Sequence, residues 1–261
     1  MPISMSAIWD ESAALIRRES HLLVPVALAT VGIGSVISGL MQPETPAAGL
    51  GAMGALGFVL GNILGLIGNL ALMALALMPG MSVGESLRLA VVRLPKMLGI
   101  VALFLIVLIV MMIPIMIILK MSGAPISANM TAEELPGVAI LMALIVGAAL
   151  LYISARLLTL SAVVVDRNPP VIEAIKLSFA STRGIVAKIV GVVLLFFIVT
   201  LVVSGAVASI SGIVFGMIGK AVGVPLLGKG LTVLATGMVS ALLSIVSTVF
   251  AAMLYRKLSS Q

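Results

Sequence analysis

Charged residues fall along this chain in short clusters, and the apolar stretches between them have the length of membrane spans. A spanning helix needs ~20 apolar residues, at ~1.5 Å rise each against a ~30 Å hydrocarbon core. The gap between Glu19 and Glu44 predicts one span over about 21–41. Thr45 to Gly84 carries no charge, and a helix over about 54–78 fits it, ending at Pro79-Gly80. Met97 to Leu119 is a third span, closed by Lys120. Three more follow at about 137–165, 185–217 and 231–255. The pattern therefore predicts an all-α, polytopic membrane helical bundle of six transmembrane helices in a single membrane domain, residues 1–261. Asp10, Glu11 and Glu19 precede the first span, which is longer than a signal-peptide core, so it is expected to be retained.

A second pattern recurs among the polar clusters. Glu11-Ser-Ala-Ala-Leu15, Glu85-Ser-Leu-Arg-Leu89 and Glu173-Ala-Ile-Lys-Leu177 share a glutamate, a small residue and a leucine at one spacing. Each lies about a dozen residues before a span. The chain thus reads as a three-unit internal repeat, roughly 6–79, 80–166 and 167–257. Each unit has a short amphipathic helix, a span, an outer loop and a return span. Ser82-Val-Gly-Glu85 forms a capping box. Val83, Leu87, Val91 and Leu94 then make an apolar stripe. In the third copy Ile172, Ile175 and Phe179 make the stripe, and Asn168 before Pro169 and Pro170 marks a helix start. Such helices suit the interface, basic side to the headgroups, as does the only tryptophan, Trp9.

Composition agrees with the spans. The chain is 62% hydrophobic and 9% charged, with a mean hydropathy of +1.34. A soluble domain carries about 25% charged residues, so a soluble enzyme, a nucleic-acid binder or a disordered chain is excluded. With no cysteine there is no disulfide or thiolate site, and His21 is the only histidine. Eleven basic residues fall on one side of the predicted spans: Arg17, Arg18, Arg88, Arg93, Lys96, Arg167, Lys176, Arg183, Lys188, Arg256 and Lys257. Three, Lys120, Lys220 and Lys229, fall in the outer loops at 42–53, 120–136 and 218–230. The positive-inside rule then puts both termini in the cytoplasm.

Few residues carry chemistry. Gly57, Gly61 and Gly65 repeat at a spacing that lets helices approach closely, and Gly212 and Gly216 repeat it in the fifth span. Asn62 and Asn69 share a face beside that stripe and suit interhelical hydrogen bonding. Pro114 interrupts the third span and should kink it. Arg156 lies inside the fourth apolar segment with no acid in any span to pair with it. Two roles are open for it: an interfacial anchor with a snorkelling stem, or a contact to a lipid phosphate, which guanidinium recognises bidentately. Arg183, Lys176 and Arg88 are the other candidate phosphate contacts. No catalytic constellation, cofactor motif or metal set is present in the sequence, so no catalytic, cofactor or metal residues are assigned.

Tyr152-Ile-Ser-Ala-Arg156-Leu-Leu-Thr-Leu, Asp166-Arg-Asn-Pro-Pro-Val-Ile-Glu173-Ala-Ile-Lys-Leu-Ser178 and Ser181-Thr-Arg-Gly184 together form a further pattern. This pattern resembles the membrane domain of glycerophosphoryl diester phosphodiesterases and related six-span bacterial proteins. In that family an arginine in the fourth span precedes a short loop and a helix of the form E-A-x-x-x-S-x-x-L-T-x-G. Here Ser181 stands where leucine is usual. The layout extends over the whole chain, but the specific motif covers only about 152–184. The family's soluble catalytic domain has no counterpart here, so the resemblance implies a stand-alone membrane module without phosphodiesterase activity. The expected function is a non-enzymatic membrane module engaging lipid headgroups or a partner protein. A small-solute or lipid transporter is the alternative. Expected partners are membrane lipids, with a membrane protein or a second copy of the chain possible and nucleic acid excluded.

Overall fold

The computed structural model describes residues 4–42, 51–122 and 136–260. All regular structure among them is helical, and six helical segments are long and apolar enough to cross a membrane. In chain order they are α1 (Met5–Met41), α2 (Ala52–Leu77) and α3 (Val83–Met121), then a fourth segment in two pieces, α4 (Gly137–Leu157) and α5 (Leu160–Arg167). A short helix α6 (Val171–Ser181) precedes α7 (Val186–Ala221) and α8 (Pro225–Ser259). Most of the outer loops expected at 42–53 and 120–136 lies outside the described residues.

Only one of the three expected amphipathic helices stands alone. The Glu11 segment is the start of α1, and the Glu85 segment is the start of α3. Nothing between those segments and their spans stops a helix. Proline removes one donor and crowds the turn before it, yet Pro25 and Pro95 are both carried inside continuous helices. After Pro25, α1 widens into a single π-helical turn at Leu28–Gly32. The third copy is cut from its span because Gly184 takes φ +89°, a backbone that non-glycine residues rarely adopt. Asn168 does not start α6. It closes α5 in the left-handed conformation (φ 51°), and Pro170 occupies the N-cap of α6. The expected outer loop at 218–230 shrinks to Val222–Val224. There Val224 N–H donates to the Gly219 carbonyl and Gly223 N–H to that of Lys220, a Schellman closure, and Pro225 opens α8.

α8 is the centre of the packed core, with Thr248 to Tyr255 buried without interruption. It touches α7, α1, α2 and α5. Leu70 to Ala76 of α2 and Ala162 to Val165 of α5 complete the buried core. Trp9, Phe196 and Phe250 tie α1, α7 and α8 together through tilted and edge-on ring contacts, with centroids 5.5–6.5 Å apart. By contrast only 6% of the most apolar stretch is buried in each of α3 and α7, against 56% in α8. The bundle is therefore asymmetric, with one packed half and one half presented to lipid.

In lipid there is no hydrophobic drive between helices, so close packing of small residues must bring them together. Gly34 of α1 and Gly61 of α2 face one another so closely that a Cβ on Gly34 would lie 2.6 Å from the Gly61 carbonyl oxygen. Gly57 meets Met41, Gly68 meets Thr30, and Gly32 faces Gly237 and Ala241 of α8. Gly65 departs from this seam: a Cβ there would meet nothing within 4 Å. Gly212 and Gly216 likewise have open space at the Cβ position, and on this hairpin the close approach is made by Gly219 and Gly228. Overpacking costs about 1–3 kcal/mol, whereas Ala in place of Gly in a helix gains up to ~1 kcal/mol. Gly61→Ala should therefore lower the unfolding free energy in mild detergent by about 1–3 kcal/mol, while Gly65→Ala leaves it unchanged or raises it. Denaturation curves of the two variants side by side check this.

Candidate functional site

Two polar features stand out, and the first is built where the fourth apolar segment breaks. α4 ends at Leu157, and Thr159, fully buried, takes φ −87° and ψ 1° before α5 begins. A break inside a membrane domain exposes backbone groups that need partners. Ser178 of α6 supplies one, its hydroxyl donating to the Arg156 carbonyl at 2.7 Å. That fixes the Ser178 proton, so Thr159 is the donor in the 3.1 Å contact between their hydroxyls. Ser181 Oγ lies 3.3 Å from Thr159 Oγ1 and donates to the Ser178 carbonyl at 2.9 Å.

Arg156 clamps this knot. Its Nε and Nη2 donate to the Tyr152 hydroxyl at 3.1 and 2.9 Å. Its Nη1 donates to the Phe179 carbonyl at 2.8 Å and reaches Thr182 Oγ1 at 3.4 Å. The Phe179 carbonyl sits in the last turn of α6, where the helix dipole is negative and a cation is favoured. The guanidinium carbon also lies 5.3 and 5.5 Å from the Tyr152 and Phe179 ring centroids. All three guanidinium nitrogens are thus engaged by the protein itself, and Arg156 serves as the clasp that holds α6 to the end of α4. Of the residues that carry the family resemblance, Tyr152, Arg156, Thr159, Ser178, Ser181 and Thr182 converge on this cluster, while Asp166, Asn168 and Glu173 lie outside it.

The other candidate phosphate contacts are placed differently. Arg88 on α3, Lys176 on α6 and Arg183 just after α6 are exposed, and their side chains make no hydrogen bond or ion pair among the described residues. None of them joins the Arg156 clasp. The three repeat glutamates also take three separate roles. Glu11 pairs with Lys257 at 2.5 Å, joining α1 to α8. Glu85 completes the capping box with Ser82. Glu173 lies exposed in the first turn of α6.

The Glu11–Lys257 pair borders a cavity of about 560 Å³ lined by Arg18, Arg256 and Lys257 together with Ala14, Leu15, Met253 and Ser260. Sequence reasoning missed this convergence because its cations come from opposite ends of the chain. Nearby, Lys96 donates to Asn168 through both its carbonyl (2.8 Å) and side-chain oxygen (2.6 Å). The Tyr255 hydroxyl donates to Asp166 at 2.7 Å. All of these contacts gather at the end of the bundle that carries the termini.

The second feature is a groove of about 630 Å³ between α1 and α2, lined by Ser35, Ser38, Asn62, Gly65 and Asn69, with Gln42 at one end and Met97 and Ser161 at the other. Asn69 bonds across helices, donating to Thr248 Oγ1 at 3.1 Å, while its own side-chain oxygen is buried without a partner. Asn62 does not reach another helix. It donates to the Phe58 carbonyl of its own turn at 2.7 Å and is otherwise exposed. Ser35, Ser38 and Ser161 were not singled out in the sequence. The available signal was the i, i+3 pair of serines in the first span.

Among the described residues no group of three or more His, Cys, Asp or Glu side chains could hold a metal ion. The chain matches no protein-family model, no curated protein and no solved structure.

Removing the Ser178 hydroxyl takes the side-chain donor from the Arg156 carbonyl and leaves Thr159 only the longer contact to Ser181. An unsatisfied buried group costs about 1–3 kcal/mol, and 1 kcal/mol shifts the melting temperature by about 2–4 °C in a domain of about this size. Ser178→Ala should melt several degrees below wild type, and Arg156→Lys, which cannot fork between α4 and α6, should do the same. Thermal unfolding in detergent checks both.

Proposed function

We propose that this chain is a non-enzymatic module of the bacterial inner membrane, with both termini in the cytoplasm, that engages the headgroups of anionic lipids. The eleven-to-three bias of basic residues supports that orientation. The observation that carries the reading is the cavity where Arg18, Arg256 and Lys257 converge, Lys257 paired with Glu11 and Arg18 with Glu19 at 2.9 Å, which leaves the cations one charge in excess. Juxtamembrane cations attract anionic headgroups with about 1 kcal/mol each near the surface. Arg88, Lys176 and Arg183 extend the same face with exposed, unpaired charge. Arg156 contributes by holding α6, which carries Lys176, in place. The likeness of residues 152–184 to the glycerophosphoryl diester phosphodiesterase membrane domain is consistent with a stand-alone membrane module, and membership of that family is part of this proposal. Transport is the second reading, and the groove between α1 and α2 is the observation that favours it.

The test is lipid analysis of protein purified gently from nanodiscs containing equal phosphatidylglycerol and phosphatidylcholine. Wild type should retain phosphatidylglycerol preferentially. The Arg18→Gln/Arg256→Gln/Lys257→Gln variant should lose most of that preference, by about tenfold or more if each cation contributes about 1 kcal/mol. The preference should also weaken at high salt, where exposed charges are screened. Equal retention of both lipids by wild type would overturn the reading.

A further inference from the structure

We infer that the groove between α1 and α2 is a binding site for a neutral, hydroxyl-bearing lipid, entering from the leaflet away from the termini. Its lining contains no Asp, Glu, Lys or Arg. Lys229, at the rim, donates to the Gln42 carbonyl at 3.0 Å and is not part of the wall. The site therefore has no cation to offer a phosphate, and a phosphate stripped of water there would be uncompensated.

What the wall does offer is mostly hydrogen-bond acceptors. Ser35 spends its proton on the Val31 carbonyl (2.8 Å) and Ser38 on the Gly57 carbonyl (3.2 Å), leaving their oxygen lone pairs free. Asn62 keeps its side-chain oxygen and one N–H after bonding Phe58. The Asn69 oxygen also lacks a donor, but it is buried, so Ser35, Ser38 and Asn62 are the acceptors open to a ligand. Acyl chains cannot satisfy such groups, and a polar group left bare in hydrocarbon is costly. The complementary occupant is an apolar chain bearing O–H groups, of the diacylglycerol class.

Geometry sets the side and the depth. The lining runs from Val31 on α1 to Gln42 just past its end and from Phe58 to Asn69 on α2, twelve residues each, or about 16 Å of a ~30 Å core. It starts at the Gln42 end, the end opposite the termini, and closes at Asn69, Met97 and Ser161. The volume of about 630 Å³ falls within the ~300–1,000 Å³ of ordinary ligand sites. Gly34 and Gly61 draw the two helices together at the back of the groove, while Gly65, with nothing within 4 Å of its Cβ position, keeps the space open.

That open position supplies the test. Protein in mild detergent is equilibrated with equal amounts of dioleoylglycerol and dioleoylphosphatidylcholine, washed, and its retained lipid measured by mass spectrometry. Wild type should retain dioleoylglycerol over the phospholipid. Gly65→Leu should fill the groove and lower dioleoylglycerol retention about tenfold, with circular dichroism and melting unchanged. Should Gly65→Leu melt early, Asn62→Leu decides, because Asn62 bonds only within its own turn. It should reduce retention about threefold to tenfold, the worth of a hydrogen bond or two, and Asn62→Gln should stay close to wild type. Undiminished retention in folded Gly65→Leu, or a wild-type preference for the phosphatidylcholine, would overturn the inference. The cations of the headgroup proposal lie outside this lining, so the two readings fail separately.

Discussion

The close approach of α1 and α2 at Gly34 and Gly61 is the contact on which the rest of this molecule depends. Between apolar helices in lipid, burial gives no advantage over acyl chains, so association rests on van der Waals fit and a few hydrogen bonds. The glycines remove the side chains that would hold the backbones apart. Ser38 then bonds the Gly57 carbonyl across the seam, and Gly32 meets Gly237 to seat α8 against the same pair. With α1, α2 and α8 fixed, α7 packs along α8 and α3 along α2, while the outer faces of both stay open to lipid. The groove is a consequence of the same seam, because helices drawn together at Gly34 and Gly61 leave the face beyond Gly65 uncovered.

The second constraint is the satisfaction of polar groups away from water. The fourth apolar segment could have crossed as one straight helix, but it breaks at Leu158 and Thr159 and sends α5 into the core between α2, α3 and α8. That break leaves carbonyls and hydroxyls in need of partners, and α6 supplies them from outside through Ser178, Ser181 and Thr182. Arg156 completes the knot by bridging Tyr152 on α4 and the carbonyl end of α6. A charged residue in an apolar segment reads first as a ligand contact. Here its donors are taken up by the fold, and the exposed cations without an ion pair include Arg88, Lys176 and Arg183.

The spans were legible in the sequence because charge-free stretches of ~20 residues have few alternatives. Their ends were less so. Whether the Glu11 and Glu85 segments bend away from their spans depends on whether anything breaks the helix, and Pro25 and Pro95 do not, whereas Gly184 does. The Arg156 neighbourhood was visible as a motif, but its role was not. Two roles were open from sequence, and the clasp it makes to Tyr152 and Phe179 was neither, because it depends on which atoms of α6 lie within reach of the guanidinium. The glycine pattern was read as one stripe, yet Gly61 packs and Gly65 does not, since spacing fixes a face and not its neighbour. The rim cavity and the groove were hidden for a common reason: Arg18 with Arg256, and Ser35 with Asn62, are brought together only by tertiary packing.

The central claim is the asymmetry of the bundle, with α1, α2 and α8 packed and the outer part of α3 bathed in lipid. The chain has no cysteine, so single cysteines can be introduced and spin-labelled one at a time along 66–77 of α2 and 103–117 of α3. Oxygen accessibility in bilayers then reports lipid contact residue by residue. The account predicts low accessibility throughout 70–76 and higher accessibility along 103–117, modulated by one half-buried face at 104, 108, 111, 112 and 115. A face of 103–117 as occluded as the interior of α2 would contradict it.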